Sequence, residues 1–151
     1  MKKNIFISIT ILAVGFFCLN RVQAASVNIS SLKELVYYAH ESNNNVRLKP
    51  GIYRLTDYLT PDSIEAKLKR NDFQYITFKG NNNTFNLEGV HIEIDTKLRE
   101  LLKFPIHTNE IIVSGNGNIL KGLKITCIGN GLSPGGATFE VAGETVSYTH
   151  L

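Results

Sequence analysis

Four polar residues in the second half of the chain could do chemistry together: His91, Glu93 and Asp95 at alternate positions, and Lys124. Alternate residues of a strand face the same side, so the two carboxyls would lie about 6.6 Å apart at ~3.3 Å per residue. That separation falls within the range of ~5 to 9.5 Å over which two carboxyls cleave a glycosidic bond. Any acidic pair on a strand has this spacing, however. The alternative interpretation is a solvated outer face on which Asp95 caps a helix.

The strands that would hold these residues are predicted by a repeated motif. Residues 78–85 and 113–120 both contain an apolar residue, then Gly-Asn-x-Asn, then another apolar residue, 35 positions apart. Repetition at such a period indicates stacked units, each with a short strand, a Gly/Asn turn and an alternating strand. Beyond the motif the spacing shortens to 33. This register predicts Lys124 beside His91 and leaves Glu93 without a facing carboxylate.

Residues 1–24 have the pattern of a bacterial secretory signal. A basic start precedes an almost wholly apolar run, and small residues follow it at the positions that a signal peptidase reads. The apolar run is shorter than the ~20 residues that a membrane-spanning helix needs. The sequence therefore predicts a secreted or periplasmic protein with no membrane span after signal cleavage.

Charge and cysteine content narrow the possible functions. Three of the sixteen Lys and Arg residues lie in residues 1–24 and none of the thirteen acidic residues does, so the mature chain has no net charge. Without a basic surface, binding to nucleic acid is not expected. Cys127 is the one cysteine beyond the signal, so an intramolecular disulfide is excluded, and we expect it to pack as a small core residue.

Capping signals predict three helices between the strands. A capping box begins one over residues 31–41. Thr60 and Pro61 begin a second that runs toward Arg70, and a third fits residues 97–103.

The last six residues, 146–151, resemble the translated mosaic-end adapter of transposon-based sequencing libraries. On that interpretation residues 25–145 are the beginning of a longer protein, and the adapter residues contribute no chemistry. The alternative is a short strand, because Val, Tyr and Thr favour strands.

A helix followed by Val-Arg-Leu-Lys-Pro-Gly-Ile-Tyr, and then repeated Gly-Asn-x-Asn turns that lead into alternating strands, resembles the start of a known fold. It is similar to a right-handed parallel β-helix of the pectate-lyase-like superfamily, over most of residues 29–129. The resemblance implies an all-β solenoid with an N-terminal capping helix, truncated after a few coils. It also implies that Asn81 stacks over Asn116 and Asn83 over Asn118. The insert at residues 96–109 departs from the family pattern.

The resemblance implies a secreted protein that binds or degrades polysaccharide, as a lyase or a glycoside hydrolase, with an active site beyond residue 145. Calcium is a possible cofactor of the full-length protein. No metal or other cofactor is expected in this fragment, because a calcium site needs several converging oxygen ligands and only Glu93 and Asp95 share a face. Two alternatives remain open: a non-catalytic β-helix adhesin or surface-binding protein, and a β-sandwich carbohydrate-binding module with antiparallel pairing.

Aromatic residues could provide platforms on which sugars stack, or could simply fill the core and the helix cap. The candidates are Tyr37, Tyr38, Tyr53, Tyr58 and Tyr75.

Overall fold

The computed structural model describes residues 26–101, 109–129, 139–143 and 147–149. Its elements up to the insert are β1 (Ser26–Ile29), α1 (Leu32–His40), β2 (Asn45–Leu48), β3 (Gly51–Arg54), α2 (Leu55–Tyr58), α3 (Pro61–Lys69), β4 (Ile76–Phe78), β5 (Thr84–Asn86), β6 (Val90–Asp95) and α4 (Lys97–Leu101). After the insert follow β7 (Ile111–Val113), β8 (Ile119–Lys121), β9 (Lys124–Ile128), β10 (Phe139–Val141) and β11 (Ser147–Thr149).

The predicted fold class, an all-β right-handed parallel β-helix, is wrong. The described residues contain four helices beside short parallel strands in three small sheets, which is a mixed α/β content. The sheets have the strand orders β1-β2-β5-β8-β11, β10-β7-β4 and β3-β6-β9. The prediction of an all-β class was wrong because the helices pack against the sheets. α1 lies against β4, and α2 lies against β6.

The strand register predicted from the repeat is confirmed. Phe85 pairs with Leu120 at a spacing of 35, and His91 pairs with Lys124 at a spacing of 33. Every strand pair among the described residues is parallel. The antiparallel pairing of a β-sandwich module is therefore wrong for this part of the chain.

The turns between strands are joined by asparagine side chains, as predicted. The backbone N–H of Asn83 donates to Asn118 Oδ1 at 3.1 Å, and that of Asn116 donates to Asn81 Oδ1 at 2.8 Å. The Asn118 amide in turn donates to the carbonyl of Gly80 at 2.7 Å. Asn83 and Asn118 are buried, and these bonds satisfy amide groups that would otherwise be costly to bury.

The first glycine of the repeated motif is required because the backbones of stacked turns approach each other closely. A Cβ on Gly115 would collide with the carbonyl oxygen of Gly80, and a Cβ on Gly80 would collide with that of Glu41. Only a residue without a side chain lets the stacked turns come this near.

The predicted helices are found close to their expected positions. α1 begins after Ser31, whose hydroxyl accepts from the backbone N–H of Glu34 at 3.2 Å, and the Glu34 carboxylate accepts from the Ser30 N–H at 3.0 Å. α3 begins after Thr60, whose hydroxyl accepts from the N–H of Ser63 at 3.3 Å. Both starts use side-chain oxygens to satisfy backbone donors that have no partner within the helix.

Cys127 does not pack in the core as expected. It lies opposite the fully buried Ile94 in the register of β6 and β9, yet it is exposed. β9 is the last strand of its sheet among the described residues. An edge strand has a neighbour on one side only, so the alternation that buries β6 does not bury β9.

The predicted signal, residues 1–24, lies outside the described residues. At the other end, residues 147–149 form β11, which pairs in parallel with β8. No helix in the described ranges is long and apolar enough to cross a membrane.

Candidate functional site

The four candidate residues lie together on the outer face of the sheet β3-β6-β9. Along β6 the side chains alternate between buried and half-buried, so His91, Glu93 and Asp95 point away from the core. Lys124 on β9 is exposed and directly neighbours His91. The structure thus brings together the residues that the sequence selected.

Contacts show that the three β6 side chains are each held by a neighbour. Glu93 Oε2 accepts from Arg54 Nε at 3.2 Å, and His91 Nε2 lies 2.9 Å from Thr126 Oγ1. Asp95 Oδ1 accepts from the first backbone N–H of α4 at 2.9 Å. One carboxylate is therefore in an ion pair and the other at a helix start, which matches the alternative interpretation of a solvated face better than a catalytic pair.

We expect no glycan cleavage by this chain. The reason is that Glu93 pairs with Arg54 and Asp95 accepts from the start of α4, which are contacts typical of structural carboxylates. Incubation with pectin, alginate and neutral glycans should release neither unsaturated nor reducing ends above a blank. Reproducible turnover that disappears in Glu93→Gln or Asp95→Asn would contradict this expectation.

Metal binding was not expected in this fragment. Across the described residues, no group of three or more His, Cys, Asp or Glu side chains is placed to hold a metal ion. Calcium in the full-length protein stays a prediction.

A cavity lies beside this face, where α1, β3, α2 and the start of α3 meet. It is an open groove of about 740 Å³, which is within the ~300 to 1,000 Å³ typical of ligand sites. Its wall includes the aromatic rings of Tyr37, Tyr53 and Tyr58 and the side chain of Ile52. We call this cavity the tyrosine groove.

Two apolar side chains of the tyrosine groove are unusually exposed. Tyr37 is 61% exposed and packs edge-on against Tyr38, with ring centroids 5.1 Å apart. Ile52 is 65% exposed, because the alternation of β3 places it on the outer side of the strand. Large apolar surface that is open to water and grouped in a concave site is typical of a binding surface.

The other two tyrosines of the tyrosine groove, Tyr53 and Tyr58, are partly buried and pack against the core. The Tyr53 hydroxyl donates to the carbonyl of Lys49 at 2.6 Å, which fixes the ring. Burial raises the pKa of both Tyr53 and Tyr58 above the usual value of a phenol, so both rings stay neutral at ordinary pH.

Polar side chains surround the tyrosine groove. Lys33, Arg54 and Asp57 line it together with Ser31 and other hydroxyl residues of the two helix starts. Arg54 also holds Glu93, and its neighbour Ile52 pairs with His91 in the strand register. The tyrosine groove is therefore continuous with the outer face of β6.

Sequence reasoning found part of this site. Of the five tyrosines proposed as sugar platforms, Tyr37, Tyr53 and Tyr58 line the tyrosine groove, whereas Tyr38 packs against the core and Tyr75 is buried. Ile52 and Arg54 were missed. Their signal was the alternation of β3 after the Pro-Gly turn, which places both on the outer side.

Neither the comparison with protein-family models nor that with curated proteins finds a match. The resemblance to the pectate-lyase-like superfamily thus stays a prediction.

Proposed function

We propose that this chain is a secreted or periplasmic protein that binds polysaccharide in the tyrosine groove. The observation that supports the proposal is the grouping of the exposed Tyr37 and Ile52 with the rings of Tyr53 and Tyr58 in one cavity of about 740 Å³.

The chemistry of the lining suits a sugar chain. A pyranose ring has an apolar face of C–H groups and an edge of hydroxyls, so it needs both aromatic surface and hydrogen-bond partners. Tyrosine supplies a large apolar ring with little conformational freedom to lose on binding. Charged and hydroxyl side chains such as Lys33, Asp57 and Ser31 stand around the rings and can bond to the sugar hydroxyls.

Binding without cleavage is the form of the proposal that the contacts support best. The outer face of β6 extends the tyrosine groove, but its carboxylates are held by Arg54 and by the start of α4. A glycan chain that leaves the groove would cross this face as a passive surface.

The test is a binding measurement with Tyr37 variants. Isothermal titration calorimetry against a panel of soluble polysaccharides should identify a ligand, and Tyr37→Ala should weaken its binding about tenfold, the loss expected from truncating an aromatic anchor. Tyr37→Phe should bind nearly as well as the unaltered chain, because the ring is retained.

The matched control is Leu101→Ala, which removes a similarly exposed apolar side chain on α4, away from the tyrosine groove. It should leave binding unchanged. Absence of binding to every polysaccharide would overturn the proposal, and so would equal losses in the Tyr37→Ala and Leu101→Ala variants.

A further inference from the structure

We propose that a cavity beside the tyrosine groove binds a tetrahedral oxyanion, a sulfate or phosphate group. The cavity has a volume of about 380 Å³, which is within the range typical of ligand sites. We call it the basic pocket, and its lining consists of Asn28, Ile29, Ser30, Arg47, Lys49 and Pro50. The tyrosine groove shares Ser30 alone with this lining, so the two cavities adjoin but present different side chains to a ligand.

The end of β2 places the two cations of the basic pocket on one side of the chain. The residues on either side of Arg47 are fully buried, so Arg47 and Lys49 point outward, and both are exposed. The ladder with β1 extends to Lys49, whose backbone N–H donates to the carbonyl of Ile29 at 2.9 Å. Alternate residues of a strand lie about 6.6 Å apart, at ~3.3 Å per residue. A guanidinium and an ammonium therefore stand close together on the same face.

The backbone that carries these side chains is held in place by other contacts. The carbonyl of Lys49 accepts from the hydroxyl of Tyr53 at 2.6 Å, and the N–H of Gly51 donates to the carbonyl of Gly89 at 3.0 Å. Asn28 lies opposite Arg47 in the register of β1 and β2 and adds a side-chain amide. A ligand would thus not have to order this turn, which lowers the cost of binding.

Neither cation of the basic pocket is neutralised by a described residue. Within the described ranges, no carboxylate lies within 4.0 Å of Arg47 or Lys49, and no acidic side chain lines the pocket. Glu34 contacts the lining through Ser30, but its Oε2 already accepts hydrogen bonds from Ser30 and Ser31. Two unpaired positive charges at short range repel each other, and an anion bound between them would offset that repulsion.

The donors of the basic pocket suit a tetrahedral group better than a carboxylate. Arginine has five N–H donors, lysine has three and the asparagine amide has two. A carboxylate offers two oxygens in one plane, and a single guanidinium can satisfy both. A phosphate group offers three acceptor oxygens and nearly two negative charges, so a second cation is needed to match it. Lys49 beside Arg47 supplies that second charge.

The experiment locates binding by amide chemical shifts in the ¹⁵N-labelled chain. Sodium phosphate, sodium sulfate and sodium acetate are titrated separately at neutral pH and equal ionic strength. We expect saturable shifts at residues 28–30 and 47–49 with phosphate and sulfate, and about tenfold weaker binding of acetate, because its single charge matches only one of the two cations. Added chloride should weaken the binding of all three ions, because salt screens the attraction.

Charge variants test which side chains bind the anion. Arg47→Gln and Lys49→Gln should each weaken phosphate binding about tenfold, because each removes one of the two cations. Lys121→Gln is the matched control. Lys121 is exposed in the same sheet, on the row that contains Arg47 and Asn86, and it lines neither cavity. Its replacement removes the same charge and should change the affinity less than about twofold. All three side chains are exposed, so the fold should persist, and the dispersion of the same spectra checks this.

A sugar ester distinguishes the two sources of such a group. Inorganic phosphate is compared with glucose 6-phosphate, with glucose as the uncharged reference. Tighter binding of the ester, with further shifts at Tyr37 or Tyr53, would indicate a group carried on a sugar chain. Tighter binding of the inorganic ion would indicate a free ion. Either result supports an oxyanion site in the basic pocket.

Three results would overturn the oxyanion site. The first is the absence of saturable shifts at the basic pocket with both phosphate and sulfate. The second is an equal loss of affinity in Arg47→Gln and Lys121→Gln. The third is acetate binding as tight as phosphate binding, since the pocket would then have no preference for a tetrahedral group. Inorganic phosphate and sulfate contain no sugar, so all three results leave polysaccharide binding in the tyrosine groove intact.

Discussion

Replacing Phe85 by Ala is expected to lower the free energy of unfolding by about 3 to 5 kcal/mol. The side chain is fully buried and pairs in the strand register with Val46 on one side and Leu120 on the other. Its ring also meets Phe78 edge-on, with centroids 5.0 Å apart. Truncation to Ala would leave a cavity between three neighbouring strands. A closely packed interior does not readily rearrange to fill such a cavity.

Urea denaturation followed by far-UV circular dichroism measures this loss. The Leu101→Ala variant serves as the control, because that side chain is largely exposed and its removal should change stability by no more than about 0.5 kcal/mol. A loss below about 1 kcal/mol for Phe85→Ala would show that the ring does not fill the interior.

The strand register could be read from the sequence, but the fold class could not. A side-chain alternation of two residues and a fixed repeat specify which residue pairs with which, because a slip by one position would expose the whole apolar set. The helices follow other signals. Three of the four described helices were predicted singly and α2 was not, and nothing in the repeat indicated that α1 and α2 would pack against the sheets as part of the same core.

Only part of the candidate site could be predicted from the sequence. Tyr37 and Tyr58 stand out by residue type, whereas the role of Ile52 and Arg54 depends on how α2 closes against β3. That helix has only four residues, Leu55–Tyr58, and no side chain caps its start. A helix without a cap and shorter than two turns leaves no pattern in the sequence, so the tyrosine groove that it helps to form was not foreseen.

A second feature that the sequence did not predict is an ion pair that involves the insert at residues 96–109. Arg99 on α4 and Glu110 just before β7 form an ion pair with Nε and Oε1 2.5 Å apart, and their side chains are only 10% and 1% exposed. The hydrogen bond to Glu110 raises the pKa of Arg99 further, so the cation is permanent. In sequence, two charges eleven residues apart look like ordinary surface groups.

Glu110→Ala is therefore expected to lower the free energy of unfolding by about 3 to 5 kcal/mol, because it removes the buried carboxylate that pairs with the largely desolvated Arg99 guanidinium. The backbone carbonyl of Glu110 also accepts a hydrogen bond from the N–H of Tyr75 at 2.6 Å, and a substitution to Ala preserves this bond. The loss of stability would thus come from removing the carboxylate and not from breaking the backbone hydrogen bond to Tyr75. The same denaturation assay measures it.

The exposed pair Arg54 and Glu93 provides the contrast, since Glu93→Gln should cost no more than about 1 kcal/mol. The decisive variant replaces both members of the buried pair. Arg99→Met with Glu110→Leu removes both desolvated charges and substitutes apolar volume, so it should recover most of the stability that Glu110→Ala loses. If the single and double variants lose the same amount, loss of the charge pairing between Glu110 and Arg99 is not the cause. A loss below about 1 kcal/mol in Glu110→Ala would mean that the pair contributes little to the stability of the fold.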